Sequence, residues 1–307
     1  MRTAVIGGGA MGGAIAADAV NAGEDVVLVD VSAELVRHIS EHGLLVETPE
    51  GTGKVAVPAV SHPAEAGPVD LAVVFVKGHH TRSAAASVAA LLGPQTVVVT
   101  LQNGWGNADV LAQALPPERL VMGVTYHSCT GAGPGHVRHT GRGPTVVGPY
   151  AANGSTEGAG RAERFLTAAG WEATVTTAVR AEIWKKLVLN AATLPTAALT
   201  GLAAGEVGRP GPLLDLVDAL AAEAVAVARA QGLDIELTER VERIHTVLAG
   251  AGKGKASMLQ DIEAVRKTEI ETVNGAVARM GSQLGVATPL NEAMAALVGG
   301  VEHSWRQ

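Results

Sequence analysis

Two stretches of the sequence hold side chains whose types and spacing could do chemistry. The first is Gly7-Gly8-Gly9-Ala10-Met11-Gly12, a G-x-G-x-x-G loop between the apolar run Thr3-Ala4-Val5-Ile6 and Ile15, Ala16 and Val20 at helical spacing. Such glycines permit a tight turn and close backbone approach, while the amides at the start of the following helix attract a pyrophosphate. A second apolar run, Val26-Val27-Leu28-Val29, ends at Asp30, about where a ribose-binding acid is expected. A carboxylate there accepts hydrogen bonds from the adenosine 2′ and 3′ hydroxyls and repels a 2′-phosphate, so the pattern favours NAD over NADP. The alternatives are a glycine-rich turn in a chain with 38 glycines, and an ordinary solvated acid at a strand end. The second stretch holds Lys186 and Asn190, four apart in an amphipathic helix and therefore on one face. A cation and an amide can thus point together, although a solvated Lys185-Lys186 pair is the blander reading.

Other reactive types carry less. His79-His80, His127, His136 and His139, with Cys129, match no zinc-ligand spacing. They read as turn and strand-end residues, and no metal is expected. His127-Ser128-Cys129 lacks the surroundings of a cysteine-hydrolase nucleophile, so covalent catalysis is not expected.

The elements that must position these groups follow from the apolar pattern. Continuous apolar runs recur at 71–76, 96–101, 120–124 and 145–147, mostly with Ala-rich or Leu-rich helical stretches between them. Runs apolar on every residue suit strands buried on both faces, and alternation with helices points to a doubly wound parallel sheet. The strand pattern stops after 171–176, and from Ala178 the chain reads as helix. Residues 1–176 are therefore expected to form a dinucleotide-binding α/β domain, and 177–307 an all-helical domain for substrate binding and dimerisation. Within the latter, 213–231 is a helix stopped by Gly232. Thr268-Glu269-Ile270-Glu271 reads as a capping box that opens a stripe of Ile270, Val273, Val277, Met280 and Leu284, ending at Gly285. Thr288-Pro289 opens the last helix.

Composition narrows the class. A chain of 307 residues exceeds what one core usually fills, and 47% apolar with 17% charged residues describes a globular protein rather than a disordered one. No uninterrupted apolar stretch is long enough to span a bilayer, and a formal charge of −7 disfavours a nucleic-acid partner. One cysteine, and no cleavable signal pattern before the apolar run at Thr3, fit a reducing cytoplasm.

Taken together, several motifs resemble the ketopantoate reductase (2-dehydropantoate 2-reductase) family of NAD(P)-dependent enzymes, which reduce a 2-oxo acid to a D-2-hydroxy acid. They are the Gly7 to Gly12 loop, Val76-Lys77, Gln102-Asn103-Gly104, His139-Thr140-Gly141, Trp184-Lys185-Lys186-Leu187 with Asn190, Ser257-Met258-Leu259-Gln260-Asp261 and Thr268-Glu269-Ile270. The resemblance implies a Rossmann domain followed by a helical domain, an active site in the cleft between them, and a homodimer. It assigns Lys186 as the catalytic lysine and Glu269 as the active-site glutamate. Asn103, Asn190 and Ser257 match substrate-facing positions. Lys77 falls near the cofactor, as do Asn103 and Glu269, beside Gly7, Gly9, Ala10, Met11, Gly12 and Asp30. Two positions depart from the family pattern, Leu194 and Ala204, where the family carries asparagines that recognise substrate. Trp105, in the loop after a parallel strand, is either a packing residue or a substrate contact. The implied activity is reduction of a 2-oxo acid other than ketopantoate, with true 2-dehydropantoate 2-reductase using NADPH as the nearest alternative. A catalytically silent NAD(H) sensor is the alternative from a different class, disfavoured because Lys186, Asn190, Ser257 and Glu269 are all present.

Overall fold

A computed structural model describes all residues except 152, 153, 155, 306 and 307. The chain forms two compact units, one of residues 1–102 and 107–179, the other of 103–106 and 180–307. Among the described residues no helix is long and apolar enough to cross a membrane.

The strands of the first unit are β1 (Thr3–Ile6), β2 (Val26–Val29), β3 (Leu44–Thr48), β4 (Gly51–Val55), β5 (Ala59–Val60) and β6 (Val69–Val74). They continue with β7 (Leu92–Thr100), β8 (Leu120–Thr125), β9 (Ser128–Gly133), β10 (His136–Gly141), β11 (Thr145–Pro149) and β12 (Ala173–Val175). Its helices are α1 (Ala10–Asn21), α2 (Ala33–His42), α3 (Pro63–Ala66), α4 (Thr81–Ala89), α5 (Asn107–Ala112) and α6 (Thr156–Ala168). The main sheet has the order β12-β11-β8-β7-β6-β1-β2-β5. β1 lies between β2 and β6, parallel to both, so the chain changes direction across the sheet where β1 ends. That switch point, where ligands of open α/β sheets bind, holds the glycine loop.

Alternate residues explain the continuous apolar runs. Val5, Leu28, Leu71, Val73 and Val99 pack with α1 and α6, while Ala4, Ile6, Val27, Ala72 and Val98 pack with α4 and α5 on the opposite face. A strand covered on both faces has no polar side to show. The sheet is not wholly parallel, however: β11 runs antiparallel to β8. This departs from the sequence reading, because a short apolar run carries no signal of strand direction.

A second sheet, of order β4-β3-β10-β9, has no counterpart in the sequence reading. Its strands are short and partly exposed, and β4 is exposed at every residue but Val55. The sheet covers α1. Gly12, Gly13, Ala14, Ile15, Ala16, Ala17 and Ala19 are buried, and a Cβ on Gly13 would lie 3.0 Å from Val137 of β10. Small residues all round the helix let sheets approach it from two sides.

His127 links β8 to β9 and His136 opens β10, turn and strand-end positions as expected, whereas His139 lies within β10. His127 and His139 are buried, their Nδ1 and Nε2 atoms 2.9 Å apart, and His127 stacks on Trp171 with ring centres 4.0 Å apart. Trp171 Nε1 donates to Asp18 Oδ2 of α1 at 2.8 Å, and His139 Nδ1 lies 3.5 Å from the same oxygen. Burial, followed by the charges of His139 and Arg142, pulls His127 down to about 4. Burial also pushes the Cys129 thiol up to about 12, leaving no thiolate at neutral pH.

Among its described residues the second unit is helices and connecting turns. These are α7 (Val179–Thr200), α8 (Ala204–Val207), α9 (Pro212–Ala230), α10 (Leu237–Ala251), α11 (Ser257–Glu263), α12 (Asn274–Leu284) and α13 (Pro289–Ser304). Trp184, Leu187, Ala191, Leu220, Val225, Ile244, Val273 and Val277 build its core. Pro195 inside α7 has no N–H for the carbonyl of Ala191. Asn274 Nδ2 donates to that carbonyl at 2.8 Å and also to Asn291 Oδ1 of α13 at 3.0 Å.

The capping box expected at Thr268 does not form. Helix α12 starts at Asn274, and residues 269–273 make a tight turn in which Gly275 N–H donates to the Ile270 carbonyl at 3.0 Å. The Thr268 hydroxyl donates to Glu302 of α13 and accepts from Ile270 N–H, so it caps this turn rather than a helix. Ile270 and Val273 are buried as the apolar stripe requires, but from the turn rather than from a helix.

Candidate active site

The glycine loop is strained in the ways that its sequence suggests. Gly7 has φ +104°, and a Cβ on Gly12 would sit 1.9 Å from the Gly7 carbonyl oxygen, so neither position tolerates a side chain. Gly9 caps α1 without any side-chain hydrogen bond, and the space beside its Cα is open. Ala10 and Met11 begin the helix, leaving its first amides without a side-chain acceptor. These features fit a pyrophosphate, whose oxygens would meet those amides.

Asp30 follows β2 and braces the loop. Its Oδ2 accepts from Gly8 N–H at 2.6 Å and its Oδ1 from Ser32 N–H at 2.9 Å. Each carboxylate oxygen keeps a second lone pair for a ribose hydroxyl. The first basic residue beyond it, Arg37, is exposed on α2. Lys77 precedes the short turn 78–80 after β6 and is half-buried.

The second unit brings together Lys186, Asn103 and Glu269. Lys186 Nζ donates to Asn103 Oδ1 at 2.9 Å, and Asn103 Nδ2 lies 3.5 Å from Glu269 Oε2, a long contact. Burial pulls the Lys186 ammonium down to about 8, and the Glu269 carboxylate opposes that fall. The neighbouring Lys185 is spent differently, its Nζ 2.8 Å from Glu182 Oε1. One turn beyond Lys186 lies Asn190, buried on the same helix, and one turn further comes Leu194. Leu194 packs against the buried cluster of Ala198, Met258, Ile270 and Val298, of which Met258 and Ile270 adjoin Ser257 and Glu269 in sequence. Ser257 is the first residue of α11 and exposed. Ala204 starts α8 and packs on the helical core.

The loop carrying Asn103 is locked to the turn after Glu269. Trp105 N–H donates to the Thr272 carbonyl at 2.8 Å, and Gly104 has φ +88° with no room for a Cβ, which would fall 2.3 Å from that same oxygen. The Q-N-G motif signals this glycine, whereas nothing in the sequence marks Thr272 as the group it approaches. Trp105 is half-buried against Trp184, ring centres 5.5 Å apart, with the Arg180 guanidinium 5.7 Å from its own ring centre. Sequence reasoning did not single out Arg180, since a lone arginine at a helix start carries no signal.

The N-terminal model of the family described as ketopantoate reductase PanE/ApbA matches residues 3–152, and its C-terminal model matches 178–302. The 2-dehydropantoate 2-reductase of Halobacterium salinarum is 33% identical over 97% of this chain and 98% of its own. That of Archaeoglobus fulgidus is 32% identical over 98% of each. Among solved structures, a PanE/ApbA family ketopantoate reductase from Ralstonia eutropha superposes with a TM-score of 0.91 at 32% identity, covering 100% of both chains. A ternary structure of D-mandelate dehydrogenase with NADH and anilino(oxo)acetate gives 0.94 at 27% identity, covering 99% of each. With both halves of the family pattern matched and relatives alike from end to end, the chain belongs to the ketopantoate reductase family.

Proposed function

We propose that this chain is an NAD-preferring reductase of 2-oxo acids, forming D-2-hydroxy acids with Lys186 as general acid. The observation that carries the reading is the half-buried Lys186, whose ammonium is drawn down to about 8 and hydrogen-bonded to Asn103. A cation so placed can give its proton to a carbonyl oxygen that is becoming an alkoxide, and its proton affinity lies near the working range. The dinucleotide, when bound, supplies the hydride. Asn190, Asn103 and Ser257 carry donors for the substrate carboxylate or the developing oxyanion. Glu269 holds the ammonium in its charged form between turnovers.

The cofactor preference rests on Asp30, whose carboxylate would repel a 2′-phosphate, and on the absence of a basic residue between Asp30 and Arg37. Gly7, Gly9, Ala10, Met11 and Gly12 would take the pyrophosphate, with Lys77, Asn103 and Glu269 nearer the reacting end. The substrate preference rests on Leu194 and Ala204, which leave a substrate hydroxyl without partners at a cost of about 1 to 3 kcal/mol. The structural likeness to D-mandelate dehydrogenase favours the same direction, toward branched aliphatic or aromatic side chains. True 2-dehydropantoate 2-reductase activity is the second reading, favoured by the curated relatives. Homodimerisation belongs to this reading and rests on the family resemblance alone.

The experiment compares kcat/KM for ketopantoate, 2-oxoisovalerate, 2-oxo-4-methylpentanoate and phenylglyoxylate, with NADH and with NADPH. Preference for ketopantoate by about tenfold or more, equivalent to about 1.4 kcal/mol, assigns the second reading. NADH binding without turnover of any of the four would favour a sensor.

A further inference from the structure

The turn that carries Glu269 is held from a helix remote in sequence. Glu302 Oε1 accepts from the Thr268 backbone N–H at 2.8 Å and from the Thr268 hydroxyl at 2.6 Å. The same hydroxyl oxygen accepts from the Ile270 N–H at 3.2 Å. The residues on both sides of Glu269 are thus tied, directly or through one hydroxyl, to a single carboxylate oxygen. Thr268 and Ile270 are themselves buried. The far end of the segment is tied to the same helix, through Asn274 and Asn291.

The placement of Glu302 calls for a local reason. It lies in the last turns of α13, where an acid faces the negative end of the helix dipole. Its two bonds to Thr268 supply compensation that a solvated carboxylate would lack. Elsewhere in the second unit the loop 103–106 leans on the same turn through Thr272, so displacement of the turn would disturb Asn103 as well as Glu269. We propose that Glu302 is a positioning residue of the reductase site, holding the turn around Glu269 so that its carboxylate stays beside the Lys186–Asn103 pair. The proposal rests on the assignment of Lys186 as the proton donor. It adds a residue that touches neither substrate nor cofactor and acts through an acceptor oxygen rather than through its charge.

The test is the pH profile of kcat/KM for 2-oxo acid reduction in the full chain and in Glu302→Ala, Glu302→Gln, Thr268→Val and Glu269→Gln. Glu269→Gln sets the reference, since losing the carboxylate lets the Lys186 ammonium titrate lower and moves the falling limb to lower pH. Glu302→Ala and Thr268→Val are expected to move the limb the same way and to lower kcat about tenfold, with NADH affinity held within about threefold. Glu302→Gln keeps the acceptor oxygen and is expected to restore the wild-type limb. A limb moved by Glu269→Gln and unmoved in Thr268→Val and in folded Glu302→Ala overturns the proposal. So does Glu302→Gln behaving like the alanine variant, which would make charge the cause. If Glu302→Ala does not fold, Glu302→Asp, which keeps the charge but withdraws the acceptor oxygen from Thr268, decides. If Glu269→Gln itself leaves the limb in place, the assignment of Lys186 fails and the proposal falls with it.

Discussion

The titration of Lys186 gives a prediction with a magnitude. With its ammonium at about 8, roughly nine-tenths of the enzyme carries the proton at about pH 7 and about one part in a hundred at pH 10. A lysine at the ordinary value of about 10.4 would still be mostly protonated there. If Lys186 is the general acid proposed above, reduction needs its protonated form, so kcat/KM should be flat below about pH 7 and fall about tenfold per unit above 8. Oxidation of the hydroxy acid needs the free amine and should rise through the same window. Absorbance of the reduced nicotinamide follows both directions. Lys186→Met should cost about 10²- to 10⁴-fold in kcat and abolish the limb. Lys185→Met, whose ammonium is paired with Glu182, should do neither. A wild-type profile flat to about pH 9.5, or a limb that survives in Lys186→Met, would refute the reasoning. Stability supplies an independent check. Because the folded value lies below the unfolded one, the unfolded chain binds more protons between about pH 8 and 10.5, and stability rises with pH across that window. Urea midpoints of Lys186→Met should lack that rise.

Four further outcomes are expected. Asp30→Ala should narrow the proposed preference for NADH over NADPH and weaken both, since it also releases the Gly8 amide; kcat/KM with each cofactor measures it. Gly104→Ala puts a Cβ against the Thr272 carbonyl at φ +88°, so a loss of about 3 kcal/mol or more in urea unfolding and near-complete loss of activity are expected. Val265 is 62% exposed at φ +51°, a conformation costly for a β-branched residue, and Val265→Asn should stabilise by about 1 kcal/mol in thermal melts. His127 titrates near 4 when folded, below its ordinary value, so its protonation costs stability as pH falls from about 6.5 to about 4. His127→Phe, which can keep the stack on Trp171, should flatten that acid loss in equilibrium unfolding.

The glycine loop, Asp30 and the Lys186 helix were legible because each depends on local spacing. A strand, a tight turn and a helix start lie within one short segment, and residues 186, 190 and 194 recur at one helical period. What escaped depends on partners distant in the chain. Thr268 has the composition of a helix cap, yet its hydroxyl goes to Glu302, 34 residues away. The second sheet pairs β3 with β10 in parallel across nearly half the first unit, and no local pattern records such a pairing. A clue existed in α1, whose run of glycines and alanines lacks a polar face. His127 and His139 were read by their neighbours in sequence, whereas their burial comes from Trp171 and Asp18, which arrive from elsewhere.

The enclosure of α1 bears on how the molecule breathes. A helix with both flanks covered cannot fray sideways, so its central amides should exchange with deuterium only when the whole first unit opens, while those at its start stay accessible. The segment that would meet the dinucleotide phosphates is then the exposed end of an otherwise immobile rod. Shortening the hairpin-like strands β3, β4, β9 and β10 would bare one flank of that rod. A trimmed domain of this kind should bind dinucleotide less well although it retains every glycine of the loop.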